Sequence, residues 1–147
     1  MFRILTVASA SILLFAACQQ QPAAAPDKAA TAETATPAVA GPGDLAPAFT
    51  LADADGTQRS LADFKGKTVV LEWSNEGCPY VKKHYTGAMQ ALQRDATADG
   101  VVWLTIISSA PGTQGHVEGE EARAWKARRQ AAFTHLLLDP TGEVGKR

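Results

Sequence analysis

Apolar positions fall into blocks along this chain, and the period within each block differs. Residues 68–73, TVVLEW, are β-branched and apolar, the composition of a buried strand. After them Val81, Tyr85, Met89 and Leu92 recur at spacings of four, four and three, which predicts one amphipathic helix from Pro79 to about Arg94. Pro79 suits the first helical turn, where its missing N–H is no loss. The pair DG (99–100) breaks the chain, and VVWLTII (101–107) reads as a second buried strand.

A long polar loop follows, SSAPGTQGHVEG (108–119). Loops of this length in a small domain are often functional. Glu120 and Glu121 then open a helix expected to run to about Ala132, with Arg128 and Arg129 near its end, matching the helix dipole. Trp125 shares a face with Ala122, Arg129 and Ala132, and core packing explains it best. Trp103 also reads as core. HLLLD (135–139) is a third strand and DPTG (139–142) a turn. Upstream, residues 43–67 alternate apolar anchors with turn signals, DADG (53–56) and KGK (65–67). The order strand, helix, strand, helix, strand predicts an α/β fold with a mainly parallel sheet and flanking helices.

Composition adds limits. The chain has 147 residues, 46% hydrophobic, enough for one domain. Its formal net charge of −1, without a basic block, gives no footprint for nucleic acid. Residues 4–17 are apolar but short for a membrane span, follow Arg3, and end in small residues before Cys18. LFAAC resembles the lipobox of bacterial lipoproteins, in which the cysteine is lipidated, although Phe15 is a less usual residue there. Residues 1–18 are therefore expected to be a signal peptide with a lipobox. Residues 19–42 are Ala- and Pro-rich without aromatics, expected to be a disordered tether, because such a segment cannot bury enough apolar surface to order itself. The folded domain is expected over 43–147. Export to the cell envelope, with a lipid anchor facing the periplasm, follows from these segments.

The remaining cysteine, Cys78, lies in WSNEGCPYVKKHY, between a strand end and a helix start. A thiol there meets unpaired backbone N–H groups and the positive end of a helix dipole, which favour thiolate. Lys82, one turn along, adds positive charge, and Glu76 opposes it. Thiolate is the nucleophile. The alternative is a small buried hydrophobe. His84 lies off the cysteine's helix face, His116 sits in the long loop, and His135 precedes a strand. No histidine–cysteine spacing forms a metal signature, and no cofactor is expected.

GDLAPAFTLADADG, LADFKGKTVVLEWSNEGCPYV and the later SSAPGTQGHV and LLLDPTGEVGK resemble the thioredoxin-like superfamily, within it the AhpC/TSA redoxins with peroxiredoxin-like and TlpA-like members. The resemblance covers residues 43–147. It implies a thioredoxin-like fold and makes Cys78 the redox nucleophile, with Pro79 matching the proline after it; beside the resemblance, Asn75, Gly77, Pro79 and Lys82 are the residues expected to support the thiolate. Gly66, Lys67 and Trp73 match the turn before, and the aromatic end of, the strand leading to the cysteine. Val81 stands where dithiol members have a second cysteine, so no CxxC exists. Asn75 stands where peroxidases carry a Thr or Ser that hydrogen-bonds peroxide, and Leu71 replaces an upstream proline. The family continues into a cis-proline, further strands and a helix, so the fold is expected to lack its C-terminal part.

The expected activity is that of a single-cysteine thiol oxidoreductase on peroxide or disulfide substrates. An external thiol, a thioredoxin-like protein or a low-molecular-weight thiol, would serve as reductant. The rival is a non-catalytic lipoprotein binding module that keeps the fold. Copper delivery is a weaker third option, since copper-handling relatives use two cysteines and a histidine.

Overall fold

The computed structural model describes residues 40–147, so the apolar segment, Cys18 and residues 19–39 of the proposed tether lie outside the described residues. Five strands form one sheet in the order β2-β1-β5-β4-β3. They are β1 (Thr50–Asp53), β2 (Gln58–Ser60), β3 (Val69–Trp73), β4 (Val102–Ile107) and β5 (His135–Leu138). The helices are α1 (Pro79–His84), α2 (Ala88–Ala98) and α3 (Gly119–Arg129), with a 3₁₀ turn at Leu61–Phe64.

The three predicted strands are parallel neighbours, Val69 pairing with Val102 and Leu104 with His135. The two short strands β1 and β2 make the sheet mixed. β1 runs antiparallel to β5, with Ala52 opposite Leu138, and β2 returns along β1. Alternating anchors and turn residues had marked this segment only as an entry to the fold. Its DADG turn is closed by Asp53, whose Oδ1 accepts the Asp55 and Thr57 N–H groups while Oδ2 accepts from Arg59 at 2.9 Å. Burial alone would raise the Asp53 carboxyl, but the Arg59 pair and these N–H bonds outweigh it and hold it below its usual value. Among the described residues β3, the strand that leads to Cys78, lies at an edge of the sheet.

Strand alternation divides the core in two. On one face Trp103, Ile107 and Leu136 pack with Tyr85, Ala122, Trp125 and Phe133, beneath α1, α2 and α3. On the other, Leu104, Ile106 and Leu137 meet Phe49, Leu61, Phe64 and Val144. Trp103 and Trp125 are both buried, as their positions predict.

The single helix expected over 79–94 is two helices. Tyr85 ends α1, and Gly87 precedes α2 with φ of 135°, a backbone conformation that only glycine adopts freely. Gln90 seals the junction. Its Oε1 accepts the Gly87 N–H at 3.0 Å, and its Nε2 donates to the carbonyls of Tyr85 and Arg129, each at 2.9 Å. The break re-aims α2. Val81, Tyr85 and Met89 still face the core, but Leu92 is 55% exposed and the buried residues of α2 are Gln90 and Gln93. α3 ends at Arg129 instead of Ala132 because Gln130 turns left-handed, with φ of 52°.

Candidate functional site

The site forms where β3 runs out. The Ser74 N–H still donates to the Ile106 carbonyl at 2.9 Å, extending the ladder one residue beyond Trp73. The chain then turns over Asn75, Glu76 and Gly77 into α1. The Cys78 N–H donates to the Asn75 carbonyl at 3.0 Å, and the Gly77 N–H to Asn75 Oδ1 at 2.8 Å. Cys78 is the N-cap of α1 in extended conformation, and its carbonyl accepts the Lys82 N–H at 3.0 Å. The thiol is free and partly buried, and makes no capping hydrogen bond. Pro79 brings no N–H, and neither the Tyr80 nor the Val81 N–H has a partner among the described residues.

The long loop closes over this turn. Asn75 Nδ2 donates to the Gln114 carbonyl at 3.0 Å and to Ser109 Oγ at 3.4 Å, and Gln114 Nε2 reaches the Gly77 carbonyl at 3.4 Å. Two glycines permit the approach. A Cβ on Gly77 would fall on the Gln114 side chain, and one on Gly115 would fall on the Asn75 carboxamide. The carboxamide that sequence placed at a peroxide-binding position therefore braces its own turn with its oxygen and ties that turn to the long loop with its nitrogen.

α3 closes the third side. Glu76 Oε2 lies 2.9 Å from Arg128, while Arg129 donates to the Glu76 carbonyl at 3.0 Å and stacks over Tyr85 and Trp125. The Glu76 charge, which sequence set against the thiolate, is thus paired. An open cavity of about 390 Å³ remains beside the turn, lined by Glu76, Gly77, Lys82, His116, Glu121 and Arg129 among others. Lys82 is exposed and forms no ion pair among the described residues.

The three histidines separate. His116 joins the cavity wall, its Nδ1 held 2.9 Å from the Ser109 carbonyl and its Nε2 3.5 Å from Glu118. His84 is exposed at the end of α1. His135 packs against Phe64, and burial with the nearby Arg59 charge lowers its basicity.

A family model described as the AhpC/TSA family matches residues 42–147. The chain belongs to the AhpC/TSA family. It has the thioredoxin-like fold of these redoxins. A Mycobacterium tuberculosis protein named provisionally as a peroxiredoxin is 54% identical over 41 residues, which is 25% of this chain and 26% of that protein. An uncharacterized conserved protein from Geobacillus kaustophilus is 27% identical with a TM-score of 0.62, over 71% of this redoxin and 55% of that structure. The thioredoxin domain of a thiol-disulfide oxidoreductase from Bacteroides vulgatus shares the fold at 23% identity and a TM-score of 0.52, over 71% of this chain and 68% of that one. This redoxin thus spans about a quarter of the curated relatives it matches and about half of the Geobacillus structure.

Sequence reasoning missed what lies under β3. Glu72 points to the helix side, where Oε1 accepts the Tyr85 hydroxyl at 2.7 Å. Its Oε2 accepts from Gln93 at 3.0 Å, Trp103 Nε1 at 2.8 Å and Thr105 at 3.2 Å. Burial, then the adjacent Glu72 charge, hold the Tyr85 hydroxyl well above the usual phenol value. The readable signal was one acid inside an otherwise apolar strand.

Proposed function

We propose that this chain is an exported thiol oxidoreductase in which Cys78 is the nucleophile, acting on peroxide or disulfide substrates. Residues 1–18 would direct export and lipidation at Cys18, residues 19–42 would tether the domain, and the domain would stand on the periplasmic side of the envelope. The observation that carries the reading is the state of the junction. Every polar group from Asn75 to Gly77 that is described above has a partner, while the Cys78 thiol has none and caps α1 beside the unpaired Tyr80 and Val81 N–H groups. Such placement favours nucleophilic sulfur chemistry.

With Val81 in place of a second cysteine, oxidised Cys78 is released by external thiols. A first thiol forms a mixed disulfide, and a second regenerates the thiolate. The test is mass spectrometry of the full chain after exposure to hydrogen peroxide or a disulfide, beside Cys78→Ser. Modification at Cys78 faster than that of a free cysteine is expected. A thiol no more reactive than free cysteine towards both reagents overturns the proposal and favours the non-catalytic binding module.

A further inference from the structure

We propose that a second cavity, apart from the cysteine turn, binds a small organic cation: an apolar body, the size of an aromatic ring with a short chain, carrying a primary ammonium. The cavity lies at the C-terminal ends of β4 and β5, the end of a parallel sheet where α/β proteins place ligands. Ile107 and Leu138 are the last residues of those strands, and Ala52 is the β1 partner of Leu138. The long loop adds Pro111 and Val117, and Pro140 completes the apolar wall. No residue from Ser74 to Lys82 lines it. The cavity holds about 260 Å³. A dry cavity of about 150 Å³ is enough for benzene, so a phenyl ring with a two-carbon chain fits. Walls of this composition select an apolar body, and a few polar groups then set its orientation and charge.

Those polar groups are Ser109, His116 and Glu118. Glu118 brings a negative charge, and neither Lys nor Arg lines the cavity. Its side chain is 80% exposed, so it stands in water at the rim. His116 is the neighbour that could neutralise it. The ring Nδ1 lies 2.9 Å from the Ser109 carbonyl, and a carbonyl only accepts, so Nδ1 holds the proton of the neutral ring. The other nitrogen, Nε2, then presents a lone pair. It is buried, has no hydrogen-bond partner, and lies 3.5 Å from Glu118 Oε2. Two acceptors therefore face each other with no donor between them. Glu120 and Glu121, in the first turn of α3, add negative potential beside Glu118. Apolar walls with an unneutralised carboxylate at the rim fit a ligand whose positive head donates hydrogen bonds. A carboxylate on the same body would be repelled, and a hydroxyl would gain the apolar contact without the charge.

The full chain is titrated with 2-phenylethylamine, 2-phenylethanol and 3-phenylpropanoate at neutral pH and low salt, and backbone amide shifts are followed by NMR. The amine should half-saturate below about 10 mM, with the shifts centred on Ile107, Val117 and Leu138. It should bind about three- to fivefold more tightly than the alcohol, the range of a partly exposed ion pair, and the acid should bind more weakly than either. Glu118→Gln should bring the amine to the affinity of the alcohol and leave the alcohol unchanged. Ala52→Leu fills the cavity and should weaken amine and alcohol alike by at least about tenfold. If Ala52→Leu does not fold, Glu118→Gln, at an exposed side chain, still decides the matter. An alcohol or acid that binds as tightly as the amine, or a preference for the amine that survives Glu118→Gln, overturns the proposal. So does an amine that fails to saturate or that shifts residues elsewhere.

Discussion

Four donors from α2, β4 and the end of α1 converge on the Glu72 carboxylate, and a fifth bond joins two of them, Gln93 to the Tyr85 hydroxyl at 2.9 Å. Six residues on, at Cys78, the polar groups of the turn bind one another and the sulfur is left without a partner. Both arrangements hang from the end of β3. In the first, hydrogen bonds converge on a charge and fix it. In the second they converge beside a reactive atom and fix its surroundings. The first should therefore govern stability and the second reactivity, and substitutions can separate the two.

The largest effect is expected at Glu72. Glu72→Ala takes the acceptor from Tyr85, Trp103 and Thr105 and leaves Gln93 only its bond to the Tyr85 hydroxyl, and each unsatisfied buried donor costs about 1–3 kcal/mol, partly relieved by water. Urea unfolding should show a loss of about 3 kcal/mol. A loss under about 1 kcal/mol would mean that water already shares the cluster, and the contrast with Cys78 would weaken.

The two glycines of the cysteine cradle come next. Gly115 has φ of +82°, and a Cβ there meets the Asn75 carboxamide, the clamp itself. Gly115→Ala should cost about 2 kcal/mol and slow Cys78 modification, because the clamp must move. Gly77→Ala meets first the Gln114 side chain, whose bond to Gly77 is long at 3.4 Å and which can swing away. About 1 kcal/mol is expected there, with a smaller change in rate. Equal effects at both glycines would show that the loop contact matters through Gln114 and not through Asn75.

Much of this was readable from sequence, and the failures share a cause. The strands β3, β4 and β5 were plain because each is a short apolar run between turn residues. The cysteine's place between strand and helix was equally plain. The two-helix break was hidden because Val81, Tyr85 and Met89 keep helical spacing across Gly87, whose φ no apolar period reports. The buried faces of Gln90 and Gln93 were missed for a related reason. A glutamine is buried only when specific partners satisfy it, and those partners, Arg129, Ala132 and Glu72, lie on other elements. Asn75 stood out as a departure from the peroxidase pattern, but its bonds to residues 109 and 114 depend on a loop closure that no local pattern encodes.

The Glu72 cluster also makes an alkaline prediction. Tyr85 holds its proton more tightly in the folded chain than in the unfolded one, where its value is near 10. Above that pH the unfolded state gives up a proton that the folded state keeps, so this contribution to stability is present below about pH 10 and is lost as pH rises further. Tyr85→Phe should cost about 1 kcal/mol at neutral pH through the missing hydroxyl. It should also flatten the fall in stability above pH 10, measured by urea midpoints across the alkaline range. An unchanged alkaline slope would place the titrating group elsewhere.

The smallest effect tests whether Glu76, the acid beside the cysteine, behaves like Glu72. Arg128 and Glu76 pair at 2.9 Å, but their side chains are 38% and 30% exposed, so water and salt screen the pair. Arg128→Ala should therefore change stability by no more than about 0.5 kcal/mol. Glu76 would keep its contacts with Arg129, which is more buried, at 15% exposure, and stacks on two aromatic rings. The thiol should respond more than the fold. With one counter-charge gone, Glu76 opposes negative charge on Cys78 more strongly, and modification of Cys78 should slow by about twofold at low salt. The difference should vanish at about 1 M salt, where charges are screened within about 3 Å. A salt-independent change, or a stability loss approaching that of Glu72→Ala, would mean that Glu76 is a fixed, desolvated charge and that the cysteine loop is built on the same principle as the cluster beneath it.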